Sequence, residues 1–396
     1  MANTLLTPTA VTREALRILH QKLTFIGSID RQYDDSFARE GAKIGDTLKI
    51  RLPNQYTVTS GATLTTQDTS ESSVSLQVAT QKHVGMNFTS AELSLSMDDF
   101  SKRIIEPAMA VLAASVEADA LGAMRKDVYQ QANNTAAAIT FANVLAGRRK
   151  LNDALAPPGD RTALLSSNDS ANLVDALKGL FQDEGGIAKQ YREGYMGRTA
   201  GFDFAESTHL STQTRGSGNG AYLVNDTVAS GDASVDVDTG TGTIKKGEII
   251  TFANVNMVHP ESKASTGVPQ QFVVTADYAG GAGTLSVSPA FISSGASQNV
   301  DALPADNAAI TIVGTASTNY GQSMVYHKDA FTFATADLVM PKGVDWGARE
   351  VYDGISLRIV RDYNISADTL PTRVDILYGY KTVRPQLACR LANLAG

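Results

Sequence analysis

Val11, Ala15, Leu19 and Leu23 recur every fourth residue behind Thr7 and Pro8, a pair suited to an N-cap and a first helical position. The spacing predicts a short amphipathic helix near the start of the chain. Past Gly41 and Gly45 the period drops to two: Leu48, Ile50 and Leu52 alternate with Lys49 and Arg51, the pattern of a strand. From there to residue 90 the chain stays β-prone but has few large apolar side chains (TVTSGATLTTQDTSESSVSLQVATQKHVGMNF). Two strands with a polar tip and no core of their own are marginal in water, so a long hairpin here needs support, most simply from a neighbouring subunit.

A helical period returns in MDDFSKRIIEPAMAVLAASVEADALGAMRKDVYQQA, with Asp98 or Asp99 as cap, Pro107 restarting the helix, and a stripe of Leu112, Val116, Ala120, Met124 and Val128. A helix from Pro107 to Ala132 would be about 40 Å long. Residues 141–210 alternate. Val144, Leu151 and Leu155 mark a helix ended by Pro157-Pro158-Gly159, TALLS reads as a buried strand, and Asn168 caps a helix with Ala171, Val174, Leu177 and Phe181. Between 222 and 316 the runs EIITFANV, QQFVVTAD, TLSVS and AAITIV sit between Gly, Ser and Asp turns, predicting a small all-β barrel or sandwich inserted into a mixed domain. GISLRIVRDY and TRVDILYGYKTVRPQLACRL then read as two alternating strands, with Pro385 closing the pairing.

Composition sharpens this division. The chain has 396 residues, 43% hydrophobic and 19% charged, with a net charge of −7. That is enough apolar content for packed cores, and few charges for a freely solvated surface. Residues 222–316 hold nine acidic groups against Lys245, Lys246 and Lys263, a net −6, while the rest of the chain nets about −1. A charge step in one segment marks a separate module, and one kept away from nucleic acid. The single cysteine, Cys389, allows no internal disulfide. His20, His83, His209, His259 and His327 are too scattered for a zinc site at ligand spacing. No signal peptide or spanning apolar run is visible, which leads to the expectation of a soluble intracellular product without cofactor or metal.

Four stretches invite a chemical reading. EGYMGRTAGFDF places Gly194, Gly197 and Gly201 before an alternating segment, but the spacing fits neither phosphate-binding loop; a tight turn feeding a strand is expected. DVDTGTG lacks the glycine and glutamate of a calcium loop, since those places hold Thr241 and Gly247. RGSGNG has no helix after it and reads as a connection into the insert. Lys49, Arg51 and Lys82 on the hairpin are either a solvated strand face or salt-bridging groups directed at another subunit.

The order of features resembles a known family. YDDSFAREGAKIGDTLKIRLP leading into a long hairpin, FTSAELSLSMDDFSKRIIEPAMAVLAASVEADAL as a spine helix, YREGYMGRTAGFDFAES, and a terminal VDILYGYKTVRPQLA look like the major capsid (coat) protein of tailed bacteriophages. KKGEIITFANVNMVHPESK and TLSVSPAFISSG are similar to the insertion domain of coat proteins from short-tailed phages of the Salmonella type. The resemblance implies an α+β, HK97-like fold. Its parts would be an N-terminal arm (1–46), an extended hairpin (47–90), a peripheral domain with the spine helix (91–140), an axial domain in two parts (141–221 and 317–396, the latter shared with the peripheral domain) and an all-β insertion (222–316).

The same resemblance implies a non-enzymatic shell protein of pentamers and hexamers in the virion, built in the host bacterial cytoplasm around double-stranded DNA. Scaffolding and portal proteins would be partners, a decoration protein a further one, with no membrane and no lysine–asparagine cross-link. Two other readings stay open at this point, an encapsulin-like compartment of the same fold and a ligand-binding protein using the β insertion.

Overall fold

The computed structural model describes residues 8–34, 47–89 apart from 63, 65 and 68–70, 101–134, 136–177, 197–366 and 369–394. The chain falls into two units, one of residues 1–50, 73–121 and 331–383, the other of residues 51–72, 122–330 and 384–396. Thr7, Asp98, Asp99, Phe181 and Gly194 lie outside the described residues.

In the first unit the helix Pro8–Lys22 buries the expected stripe, with Val11, Ala15, Leu19 and Leu23 all at 5% exposure or less. It packs on the strands Trp346–Tyr352 and Ile355–Arg361. These belong to a sheet ordered Asp30–Asp34, Phe331–Ala336, Thr369–Thr382, Ile355–Arg361, Trp346–Tyr352, in which the first pair is parallel. Thr80–Thr89 joins the long strand Thr369–Thr382 antiparallel, in register from Thr89 opposite Thr369 to Thr80 opposite Tyr378.

That pairing corrects the reading of residues 47–90 as one long hairpin without a core. Only Thr47–Arg51 and Ser73–Gln77 pair with each other. Leu76 and Val78 are buried against Ala334, Ala336, Leu338 and Leu377, with Leu48 and Ile50 at the edge of the cluster. The few large apolar residues of this stretch therefore have a core within the subunit, and the sheet takes up the remainder.

The spine helix runs Glu106–Met124, preceded by a π-turn at Ser101–Ile105. At 19 residues it is about 28 Å long, shorter than expected. Leu112, Val116, Ala120 and Met124 are buried, as is Val128, but Arg125–Asp127 is a 3₁₀ turn and Val128 is extended. The apolar stripe continues past the helix because Gln131–Asn134 enters a sheet instead.

The second unit holds that sheet, ordered Gln131–Asn134, Ala388–Leu394, Asn319–His327, Arg161–Leu165, Phe202–Glu206, Arg198–Thr199, with Gln213–Thr214 also on Asn319–His327. The helix Phe141–Asp153 ends before Leu155, which adopts a left-handed φ of 58° and is exposed rather than part of the stripe. The helix Ser167–Leu177 is capped by Ser166, whose Oγ accepts from Asp169 N at 3.2 Å, two residues ahead of the expected Asn168. At the C-terminus Pro385–Leu387 forms a 3₁₀ turn. The stretch read as one last strand is split there, Thr369–Thr382 belonging to one sheet and Ala388–Leu394 to the other.

The acidic segment is a barrel. Its six strands run in the order Leu223–Val224, Ser234–Asp238, Gly283–Ser288, Phe272–Val274, Ile249–Phe252, Ile310–Ile312. Val224 N donates to Ala308 O at 3.0 Å and Ile310 N to Tyr222 O at 3.0 Å, joining last strand to first. Closure leaves neither end strand as an open edge. Phe252, Phe272 and Phe291 meet at the centre with centroids 4.5 to 5.4 Å apart.

Candidate assembly interface

Lys49 and Arg51 project from the exposed face of the strand Thr47–Arg51. Arg51 pairs with Glu71 at 3.0 Å, both largely exposed, and Leu52 N donates to Ser72 O at 2.9 Å. An ion pair this open to solvent contributes little on its own. Beyond it, the described residues of 52–72 form no strand. The Gln67 side chain ties this segment across, accepting from Thr57 N at 3.0 Å and donating to Thr57 O at 2.5 Å. Tyr56, Val58 and Leu64 stand out of it at 58%, 96% and 86% exposure. Tyr56 and Val58 alternate with polar neighbours in the sequence.

Lys82 is placed differently. Its ammonium donates to Ser115 O and Ser115 Oγ at 3.0 Å each and lies 3.4 Å from Asp119 on the spine helix. Asp119 also accepts from Tyr378 Oη at 2.7 Å and from Tyr380 Oη at 3.4 Å. Burial, followed by the Asp119 bond, pushes the Tyr378 phenol up, so it remains a donor. The three cations predicted from the hairpin thus separate: Lys49 and Arg51 share an exposed strand, while Lys82 joins edge strand to spine helix.

Gly197 and Gly201 flank a tight turn. Arg198–Thr199 pairs with Phe202–Asp203 across Ala200 and Gly201, whose φ values are 53° and 81°. Two successive positive φ values give the turn the twist that antiparallel strands need.

The perturbed groups elsewhere have structural causes. Burial pushes the Cys389 thiol up to about 11, against the lowering effect of Lys150. Glu248 is raised by burial, although it accepts from Gly216 N and Lys245 N. Among the described residues no three His, Cys, Asp or Glu side chains gather as a metal site would require. No described helix is long and apolar enough to cross a membrane. A cleft lined by Tyr129, Lys150, Met257, Val268 and Gln271 has room for about 30 Å³.

A family model described as P22 coat protein, gene protein 5, matches residues 29–391. The chain belongs to the P22 coat protein family. It is a bacteriophage major capsid protein of α+β fold with an inserted β domain, and it forms an icosahedral shell as a structural part of the virion. No curated protein matches the sequence. Among solved structures the chain is similar to one from Mycobacterium phage Che8, at 12% identity and TM-score 0.47 over 93% of this chain and 90% of that one. The mature capsid of bacteriophage PhiM1 follows at 10% identity and TM-score 0.45, over 94% and 87%. The CUS-3 coat protein I-domain is 28% identical with TM-score 0.20, over 24% of this chain and 98% of that one.

Proposed function

We propose that the shell encloses double-stranded DNA and is built in the host bacterial cytoplasm with a separate scaffolding protein, around a portal, without catalytic turnover. Membership of the P22 coat protein family over residues 29–391 carries this reading. The charge distribution supports it, since the net −6 of residues 222–316 suits a module held away from packaged nucleic acid, where a decoration protein could reach it. Pentamers and hexamers are the assembly units. We assign the arm to 1–46, the extended loop to 47–90 with its last strand Thr80–Thr89 held on Thr369–Thr382, the spine-helix domain to 91–140 with Gln131–Asn134 in the sheet of Ala388–Leu394, the axial domain to 141–221 and part of 317–396, and the insertion to 222–316.

Within this reading Lys49, Arg51 and the exposed Tyr56, Val58 and Leu64 meet an adjacent subunit, and Lys82 keeps the edge strand on the spine helix. Many such contacts, each weak, sum over a closed shell. The test is sedimentation of the purified protein with and without scaffolding partners, with electron micrographs of every fast fraction. Uniform closed shells that package DNA in an infected cell support the proposal. A strictly small species under all conditions, or shells filled with protein cargo, overturns it. Val58→Asp leaves the subunit folded and lowers shell yield at least tenfold; unchanged yield would remove that residue from the interface.

A further inference from the structure

Arg125 and Arg390 are withdrawn from solvent, at 1% and 0% exposure, in the second unit. Arg125 opens the 3₁₀ turn after the spine helix, and Arg390 lies on the strand Ala388–Leu394, where its N–H donates to Gln130 O at 2.9 Å. The guanidinium bonds are all to neutral oxygens. Arg125 Nη1 donates to Ser211 O at 2.7 Å and Nη2 to Ser211 Oγ at 3.2 Å, while Arg390 Nη1 donates to Gly247 O at 2.7 Å. Neither arginine forms an ion pair with a described carboxylate. Arg125 Nε, Arg390 Nε and Arg390 Nη2 are buried N–H donors with no protein acceptor.

Buried charges are ordinarily paired, and an unpaired one is strongly unfavourable. Gly247, whose carbonyl accepts from Arg390 Nη1, packs on Lys126, the residue after Arg125, which brings both arginines to one turn. Burial brings Arg125 down to about 10 and Arg390 to about 9, the charge of Arg125 adding to the second shift and Cys389 and Asp127 opposing it. The Asp127 carboxylate offsets only part of the shift at Arg390, so two like charges with three unmet donors describe a site short of negative charge. The surroundings limit its size: a side chain on Gly247 would come within 3.1 Å of Lys126 Cγ, so the barrel turn is tightly seated. We propose that a small inorganic monoanion of the chloride class binds between Arg125 and Arg390, completing the seam where the barrel turn Lys245–Glu248 meets its host domain. The ion neutralises the cation pair and accepts from the three free N–H groups, so barrel seating depends on halide.

The test is thermal unfolding of the full-length protein in sodium gluconate at constant ionic strength, with chloride or bromide replacing gluconate in millimolar steps. A saturable rise of the midpoint by about 3 °C is expected, with both halides acting alike. Arg390→Met abolishes the rise. Ser211 is exposed and already touches Arg125, so Ser211→Asp supplies a built-in negative charge without emptying the core. That variant raises the midpoint in gluconate and removes the halide response, which decides the matter even if Arg390→Met does not fold. A midpoint of the unmodified protein that stays flat through the titration overturns the proposal, leaving water to serve the three donors. A halide response undiminished in Ser211→Asp also overturns it.

Discussion

Glu117 and Phe25 stand 92 positions apart in sequence, yet the Glu117 carboxylate accepts the Phe25 N–H at 3.1 Å and the Thr24 N–H at 2.7 Å. A buried acid on the spine helix thus terminates the turn that follows the first helix. Hydrogen bonds to a charged acceptor are stronger than neutral ones, and the buried Phe25 N–H and the more open Thr24 N–H would lose this one together. Glu117→Ala is expected to lower stability by about 3 kcal/mol in denaturant unfolding. Amide exchange at Thr24 and Phe25 should quicken well before global unfolding.

Asp375 sets an acid limit. It is fully buried, and although burial alone would raise its pKa, bonds from Arg358 at 2.8 Å, Arg373 at 2.6 Å and Gln81 at 3.1 Å hold it below the ordinary carboxylate value. A depressed folded-state value contributes stability that is complete above about pH 4 and is lost as pH falls through the folded-state value. Asp375→Asn should therefore cost about 3 kcal/mol at pH 7 and flatten the acid limb of the stability profile. Parallel acid limbs for the two proteins would refute this.

Gly379 has no room for a side chain, since a methyl group there would collide with the backbone carbonyl of Gln77. The collision is with main chain, so no rotamer change relieves it. Gly379→Ala should destabilise by about 2 to 3 kcal/mol and reduce refolding yield. Gly85→Ala, with nothing within 4 Å, should leave both unchanged and serves as the control.

Phe272 sits among Phe252 and Phe291 at zero exposure, so Phe272→Ala should cost about 3 to 5 kcal/mol of barrel stability. Amide exchange should report the loss on Ile249–Phe252 and Gly283–Ser288 first, while Arg161–Leu165 keeps its protection. Uniform loss across both sheets would show that the barrel has no stability of its own.

These residues mark how far the sequence could be read. A period of four located the first helix and the spine stripe, because each buries one face against one neighbour, and apolar runs between turns located four of the six barrel strands, Ile249–Phe252, Phe272–Val274, Gly283–Ser288 and Ile310–Ile312. Val128 misled because burial continued after the helix had stopped: an apolar period records which side is covered, not which backbone covers it. The pairing of Thr80–Thr89 with Thr369–Thr382 joins segments nearly 300 residues apart, and no local pattern encodes it. Lys82 looked like Lys49 and Arg51 for the same reason, since its partners Ser115 and Asp119 arrive from a distant helix. Leu155 carried the right hydrophobicity, but the left-handed turn before Pro157-Pro158 had already ended the helix.

The barrel's entry and exit strands lie side by side: Gln213 and Thr214 pair with Tyr320 and Asn319, Arg215 N donates to Thr318 O at 2.9 Å, and Ser317 N to Gly216 O at 3.2 Å. To the host sheet, a folded insert is therefore equivalent to a hairpin turn. An unfolded one is a tether of roughly a hundred residues, four to five doublings longer, and its closure would cost about 3 kcal/mol more in chain entropy. A barrel that folds first shortens the path by which Asn319–His327 finds its neighbours, so damage confined to the insert should be felt as slow, incomplete folding of a sheet it does not belong to.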